Sequence, residues 1–284
     1  MLFRTKVRVR RRRRRGLIIL IFLLAVLAFF FYDSSTRLVT EEFTVGASLI
    51  PGSFDGFRIV QLSDLHGRSF GPNNEKLIEA IMDASPDIIT ITGDFIDNSK
   101  SGEWAKSLLE KLVEIAPVYF VTGNHEWASG GLVELFAIME SCGVKALRND
   151  YVVLEREGES IILAGIDDPN GYAGQKTPQE LFSEIREEQG ENYTVLLAHR
   201  HNMLETYASA GANLVLAGHC HGGIIRLPLI GGLLDTDRTF FPEYDSGFYI
   251  QGSTTMFVSR GLGLIFNIPR FLNNPQIAVL ILKK

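Results

Sequence analysis

The hydrophobic pattern divides the chain into one long apolar block and a series of short ones. Gly16 to Tyr32 runs seventeen residues without a charge, directly after a stretch that ends in Arg10 to Arg15. As a helix rising about 1.5 Å per residue it would span about 25 Å, close to a hydrocarbon core of roughly 30 Å, and flanking arginines can snorkel to cover the difference. A cleaved signal would carry a shorter apolar core, of roughly 7–15 residues, and small residues in A-x-A spacing. Ala25 and Ala28 are spaced otherwise, and bulky Phe29 to Tyr32 follow. The block therefore reads as a retained membrane anchor at 16–32, behind a basic segment at 1–15.

Beyond the anchor the apolar runs are short. Phe57–Leu62, Asp87–Ile91, Pro117–Val121, Tyr193–Ala198 and Asn213–Ala217 are rich in strand formers, and Tyr151–Leu154 and Ile161–Gly165 add two more. Between them lie helical patterns at 74–84, with Leu77, Ile78 and Ile81 on one face, at 103–115 and at 131–141. Thr177-Pro178-Gln179-Glu180 has capping-box spacing with proline at the first helical position, so another helix starts there. Residues 33–53 read as a tether with a lead-in strand, and the tail from Gly223 to Leu282 as hairpins. The alternation predicts one α/β domain at 54–284, with two packed sheets and flanking helices.

Composition agrees with one well-buried core: 284 residues are 46% hydrophobic. The net charge of −5 conceals an asymmetry, because residues 1–15 hold nine Lys and Arg and no acid. Setting those nine aside leaves 19 basic against 33 acidic residues, a body near −14. Such a body lacks the clustered cations that phosphate-backbone binding needs, so no nucleic-acid partner is expected. The basic run reads instead as a topology signal that stays cytoplasmic, with attraction to anionic lipid, and everything after Asp33 then lies on the far side of the membrane. Two cysteines, Cys142 and Cys220, allow at most one bridge and match no zinc-finger spacing.

Each of the five runs named first is followed at once by polar residues of one chemical kind. Asp64-x-His66, Gly93-Asp94, Gly123-Asn124-His125-Glu126, His199 and Gly218-His219-Cys220-His221 hold five of the six histidines in the chain. Strand ends on one rim can bring such side chains together without disturbing the core. Gly93, Gly123 and Gly218 would let the backbone turn sharply beside them. Carboxylates, an amide and imidazoles without thiolates suit catalytic divalent ions rather than a closed structural zinc. A carboxylate shared by two cations about 3.5–4 Å apart can hold an attacking oxygen between them, and Asp94 is the natural bridge.

The ordered set D-x-H, G-D, G-N-H-E, H and G-H-x-H resembles the calcineurin-like metallophosphoesterase superfamily. Longer matches, G-D-F-I-D at 93–97, G-I-D-D-P at 165–169 and G-H-C-H-G-G at 218–223, are similar to its membrane-associated bacterial phosphodiesterase branch. The resemblance runs from Phe57 to Leu282 and implies a four-layer αββα domain of two mixed sheets. It implies that Asp64, His66 and His221 hold one divalent ion, that Asn124, His199 and His219 hold a second, and that Asp94 bridges them. His125 would protonate the leaving oxygen, and the metals would be manganese, iron, zinc or similar. The activity implied is hydrolysis of a phosphodiester or pyrophosphate by metal-bound hydroxide. The alternatives are a phosphomonoesterase and a non-catalytic metal-binding scaffold.

Arg68, Arg200 and Arg260 are candidate contacts for substrate phosphate. His201 stands where the branch commonly has proline and reads as an exposed helix-start residue. Cys220, between two ligand histidines, should point away from the metals by alternation. Two apolar stretches, 227–234 and 262–266, read either as hairpin strands feeding the core or as a lipid-facing lip. A lip would imply a lipid-linked substrate such as a phospholipid or glycolipid.

Overall fold

The computed structural model describes residues 2–97, 101–265 and 268–284. A long helix, α1 (Leu2–Thr36), precedes the body, and its Arg14–Thr36 part is, among the described residues, the one helix long and apolar enough to cross a membrane.

Two six-stranded sheets form the centre. The first contains β1 (Val39–Gly46), β2 (Arg58–Leu62), β3 (Ile88–Thr92), β4 (Val118–Val121) and β5 (Lys145–Ala146), with the C-terminal strand β14 (Gln276–Lys283) inserted between β1 and β2. The second contains β6 (Asp150–Arg156), β7 (Glu159–Gly165), β8 (Thr194–Leu197), β9 (Leu214–Ala217), β12 (Gly247–Gln251) and β13 (Thr254–Val258), in the order β12-β13-β9-β8-β7-β6. Strands β2 to β5 run parallel, as do β7, β8, β9 and β13, while β14–β2, β6–β7 and β12–β13 are antiparallel. Both sheets are therefore mixed.

Helices α2 (Glu75–Asp83), α3 (Gly102–Ile115) and α5 (Leu132–Cys142) cover the outer face of the first sheet, and α6 (Pro178–Gln189) and α7 (Leu204–Ala210) that of the second. A short helix, α4 (Asn124–Ala128), follows β4. Alternate residues of each central strand go to different layers. Ile59 joins the core between the sheets while Val60 packs under the helices, and Leu163 and Leu197 face inward where Ile162 and Leu196 face α6 and α7. Strands buried on both faces read as unbroken apolar runs, which is why the sequence marked them so clearly. The Thr177 cap is formed, its hydroxyl accepting from the Glu180 N–H while Glu180 accepts from the Thr177 N–H at 2.7 Å.

The tail departs from expectation. β10 (Arg226–Leu227) with β11 (Gly231–Gly232) and β12 with β13 are hairpins, but β14 returns to the first sheet, parallel to β1 and antiparallel to β2. Its run Ile277 to Leu280 is completely buried, so a central position between two strands won over local pairing. The stretch read as tether and lead-in strand contains β1, which zips to β14 over its whole length.

Candidate active site

Asp64 and His66 follow β2, Asp94 follows β3, and Asn124 and His125 open α4 just past β4; His199 follows β8, and His219 and His221 follow β9. Strand ends of both sheets thus open onto one cavity of about 370 Å³, whose walls include His66, Asp94, Asn124, His125, His219 and His221. The loops after β2 and β3 run side by side, Asp64 N–H donating to Gly93 O at 3.0 Å and His66 N–H to Asp94 O at 2.9 Å. The backbone takes an unusual form here and in the loop after β9: Asp64, His66, Asp94, His219 and His221 all have φ between 50° and 68°. Non-glycine residues in that region cost on the order of 1 kcal/mol or more apiece, a strain that marks sites where side-chain direction matters more than stability.

The three glycines serve differently from one another. Gly93 has φ 81°, as expected for a sharp turn. Gly123 and Gly218 do not need positive φ; they need space, because a Cβ at Gly123 would overlap Asp94 Oδ1 and one at Gly218 would overlap Ser63 Oγ.

Among the described residues, three groups of side chains are close enough to hold a cation: Asp64, His66 and His221; Asp94, His199 and His219; and His66, Asp97 and His125, with donor atoms within 4.8 Å of one another in each. His66 Nε2 faces His221 Nε2 at 3.0 Å, and His199 Nε2 faces His219 Nδ1 at 3.0 Å. Two imidazole nitrogens aimed at each other share one proton or one cation between them. Asp94, a member of the second group, also approaches His66 of the first. Its Oδ1 accepts from the His125 N–H at 2.9 Å, while Oδ2 lies 3.3 Å from His199 Nε2 and 3.8 Å from His66 Nε2. Asn124 Oδ1 is buried and has no hydrogen-bond partner among the described residues, as an oxygen meant for a cation would be. The donor set therefore fits divalent metal ions.

The charges agree. Burial opposes ionisation of Asp64 and Asp94, yet His221 and His199 hold the first carboxyl, and His199, His66 and His125 the second, well below the usual carboxylate range. Burial favours neutral His199, but Asp94, Asp64 and Asp168 push it up to about 10. Burial takes His221 down to about 4. His199 Nδ1 donates to Thr92 O at 2.9 Å, which leaves Nε2 as the atom that could take a cation.

Of the three candidate arginines only Arg200 reaches the cavity. It is clamped by Asp168 through two hydrogen bonds of 2.6 and 3.1 Å, with Nη1 2.8 Å from His219 Nε2. Arg68 turns away, donating to Leu262 O at 2.9 Å and to Ser35 O, and Arg260 pairs with Glu41 at 2.8 Å. The acceptors of both lie outside the cavity walls. His201 is buried rather than exposed, packed with its ring 5.6 Å from that of His219 and 3.7 Å from Asp235. Burial drives it down to about 3, so it is neutral. Cys220 points into the core of the second sheet, away from the ligand groups, and both cysteines are free thiols. Of the apolar stretches, Leu262 and Ile265 are buried and Leu229 and Ile230 exposed; Phe266 lies outside the described residues.

Sequence reasoning missed three acids. Asp97, the last residue of G-D-F-I-D, contacts His66 Nδ1 and lies 3.0 Å from His125 Nδ1. Asp237, from the tail, lies 3.3 Å from His219 Nε2 and has no sequence motif to announce it. Glu126 carries the most hydrogen bonds of the three. Fully buried, it accepts from the N–H groups of Asp94, Phe95, Ile96 and Gly123 at 2.7 to 3.2 Å and so locks the β3 loop to the β4 loop. Burial and the nearby Asp94 push it up to about 7, against the four donors that favour its anion. Glu126→Ala would leave those donors unpaired at about 1–3 kcal/mol for each one unrelieved. A loss of about 3 kcal/mol or more in urea unfolding is expected, and a change under about 1 kcal/mol would contradict this role.

A four-layer αββα body with imidazole and carboxylate side chains gathered past the strand ends has the make-up of a metal-dependent phosphoester hydrolase. The calcineurin-like phosphoesterase model matches residues 57–223, and the chain belongs to that family. It is 33% identical over 250 residues to the uncharacterized metallophosphoesterase YkuE of Bacillus subtilis, covering 86% of this chain and 85% of that protein. Phosphodiesterase YaeI of Escherichia coli is 27% identical, covering 79% of this chain and 81% of its own. A zebrafish (Danio rerio) transmembrane protein with metallophosphoesterase domain is 28% identical over 83% of this chain and 55% of its own length.

Proposed function

We propose that the protein is a membrane-anchored phosphodiesterase that works with two divalent cations on a lipid-linked phosphodiester or pyrophosphate. The carrying observation is the position of Asp94, with one carboxylate oxygen fixed by the His125 N–H and the other lying between two ligand groups. In this reading Asp64, His66 and His221 hold one cation, Asn124, His199 and His219 the other, and Asp94 both. Cations so bound would polarise the phosphoryl oxygens and supply a nucleophile near neutral pH. His125, half-exposed beside Asp97, donates the proton to the leaving oxygen. Arg200, oriented by Asp168, steadies the phosphate from the wall of the cavity. α1 would span the bilayer with its basic end in the cytoplasm, leaving the body on the opposite side.

Full-length protein, loaded with manganese and freed of excess metal, should hydrolyse bis(p-nitrophenyl) phosphate faster than p-nitrophenyl phosphate and contain about two metal ions per chain by elemental analysis. Monoester hydrolysis alone would make it a phosphomonoesterase. Two bound ions without activity on either ester would make it a scaffold.

A further inference from the structure

The C-terminal end of α1 is seated on the segment 270–274. The Phe31 and Phe30 rings lie 4.9 and 6.2 Å from that of Phe271, Ser35 Oγ accepts from the Arg270 N–H at 3.0 Å, and Asn274 donates to Asp33 O at 3.0 Å. From Phe271 a chain of backbone hydrogen bonds leads outward. Arg226 N–H donates to Phe271 O at 2.9 Å, Leu233 N–H to Ile225 O at 2.8 Å, and Phe241 N–H to Leu233 O at 3.0 Å. One irregular layer therefore connects the membrane helix to the β10–β11 hairpin and the loop after it.

This layer is apolar on its outside. Leu229 and Ile230 at the hairpin tip are 109% and 62% exposed, and Phe240 and Phe241 are 66% and 58% exposed. Ile268 and Leu272 continue the surface toward α1. Elsewhere on the body exposed large apolar side chains are scattered, as Met82 and Val133 are, or paired on the edge strand β12. Aromatic and aliphatic side chains presented together, with exposed Arg238 beside them, have the composition of a surface that enters the headgroup region while its cation meets phosphate. The same loop carries Thr236 and Asp237 into the wall of the metal-binding cavity.

We infer that this layer is a second membrane contact, in which Leu229, Ile230, Phe240 and Phe241 enter the leaflet from which α1 emerges and hold the mouth of the cavity at the lipid headgroups. The inference rests on α1 spanning the bilayer, as proposed above, and its continuity with α1 through Phe271 selects a lipid surface over a protein partner.

The test places an environment-sensitive fluorophore on single cysteines in the full chain, in a Cys142→Ser background where Cys220 stays buried. The protein is reconstituted into phosphatidylethanolamine–phosphatidylglycerol vesicles containing nitroxide-labelled acyl chains. Ile230→Cys and Phe240→Cys should lose about half of their emission or more to the nitroxide lipids. Leu23→Cys reports the anchor, and Val133→Cys, on α5 against the far edge strand β5, reports the body and should stay bright. Quenching at Leu23 with Ile230 and Phe240 as bright as Val133 overturns the inference and leaves the anchor standing. An unquenched Leu23 overturns both. Protection of Ile230 and Phe240 from lipid nitroxide and aqueous iodide alike would assign the layer to another protein or a second copy, and overturns the inference as well.

Discussion

Asp94→Asn is expected to strip the protein of metal and lower diester hydrolysis by about 10³-fold, the equivalent of roughly 4 kcal/mol of transition-state stabilisation. The asparagine can keep its oxygen on the His125 N–H, where Asp94 Oδ1 sits at 2.9 Å. It must then present an NH₂ where Oδ2 approached His199 and His66, so it offers two cations a donor and no charge. The folded body should survive, because the substitution also removes the carboxylate that pushes buried Glu126 up in pKa. Elemental analysis, far-ultraviolet circular dichroism and diester kinetics on the same preparation decide the matter. A folded Asp94→Asn protein with two metals and activity within about tenfold of the parent would contradict a bridging role.

Much of this site was legible because two independent signals coincide at each strand end. The runs at 57–62, 87–91 and 213–217 are mostly apolar since layers cover both faces, and the chemistry-bearing side chains begin where the layers stop. What escaped the sequence depends on contacts between distant segments. β14 belongs beside β2, more than two hundred residues earlier, and nothing local distinguishes it from a hairpin strand. Arg68 sits just past the candidate ligand His66 in sequence and Arg260 in the tail, but long side chains choose among acceptors the fold supplies, and Leu262 O and Glu41 lie outside the cavity walls. His201 looked exposed because polar residues start most helices; here a 3₁₀ turn tucks it under His219. The left-handed backbone at Asp64, His66 and Asp94 has no sequence signature of its own, since the glycines with positive φ, Gly67 and Gly93, stand beside these residues and not at them.

His125→Asn should lower turnover by about 10²–10⁴-fold for an alkyl leaving group and far less for p-nitrophenolate, which departs without a proton, while metal content holds. Its partner controls the pH at which it works. Asp97, 3.0 Å from His125 Nδ1, raises the imidazole pKa, with Asp94 and Glu126 adding to the effect against burial. A general acid must be protonated, so a raised pKa extends activity toward alkaline pH. Asp97→Asn removes the largest favourable contribution, and the alkaline limb of kcat/KM should move to lower pH. The same carboxylate contacts His66 Nδ1 and would orient that ring toward the cation proposed for it, so metal affinity should also fall, by about 10–100-fold. The two effects separate at saturating manganese, where occupancy is restored and the displaced alkaline limb remains. An Asp97→Asn protein whose limb stays in place under those conditions would show that Asp97 orients the metal ligand and leaves the proton donor untouched.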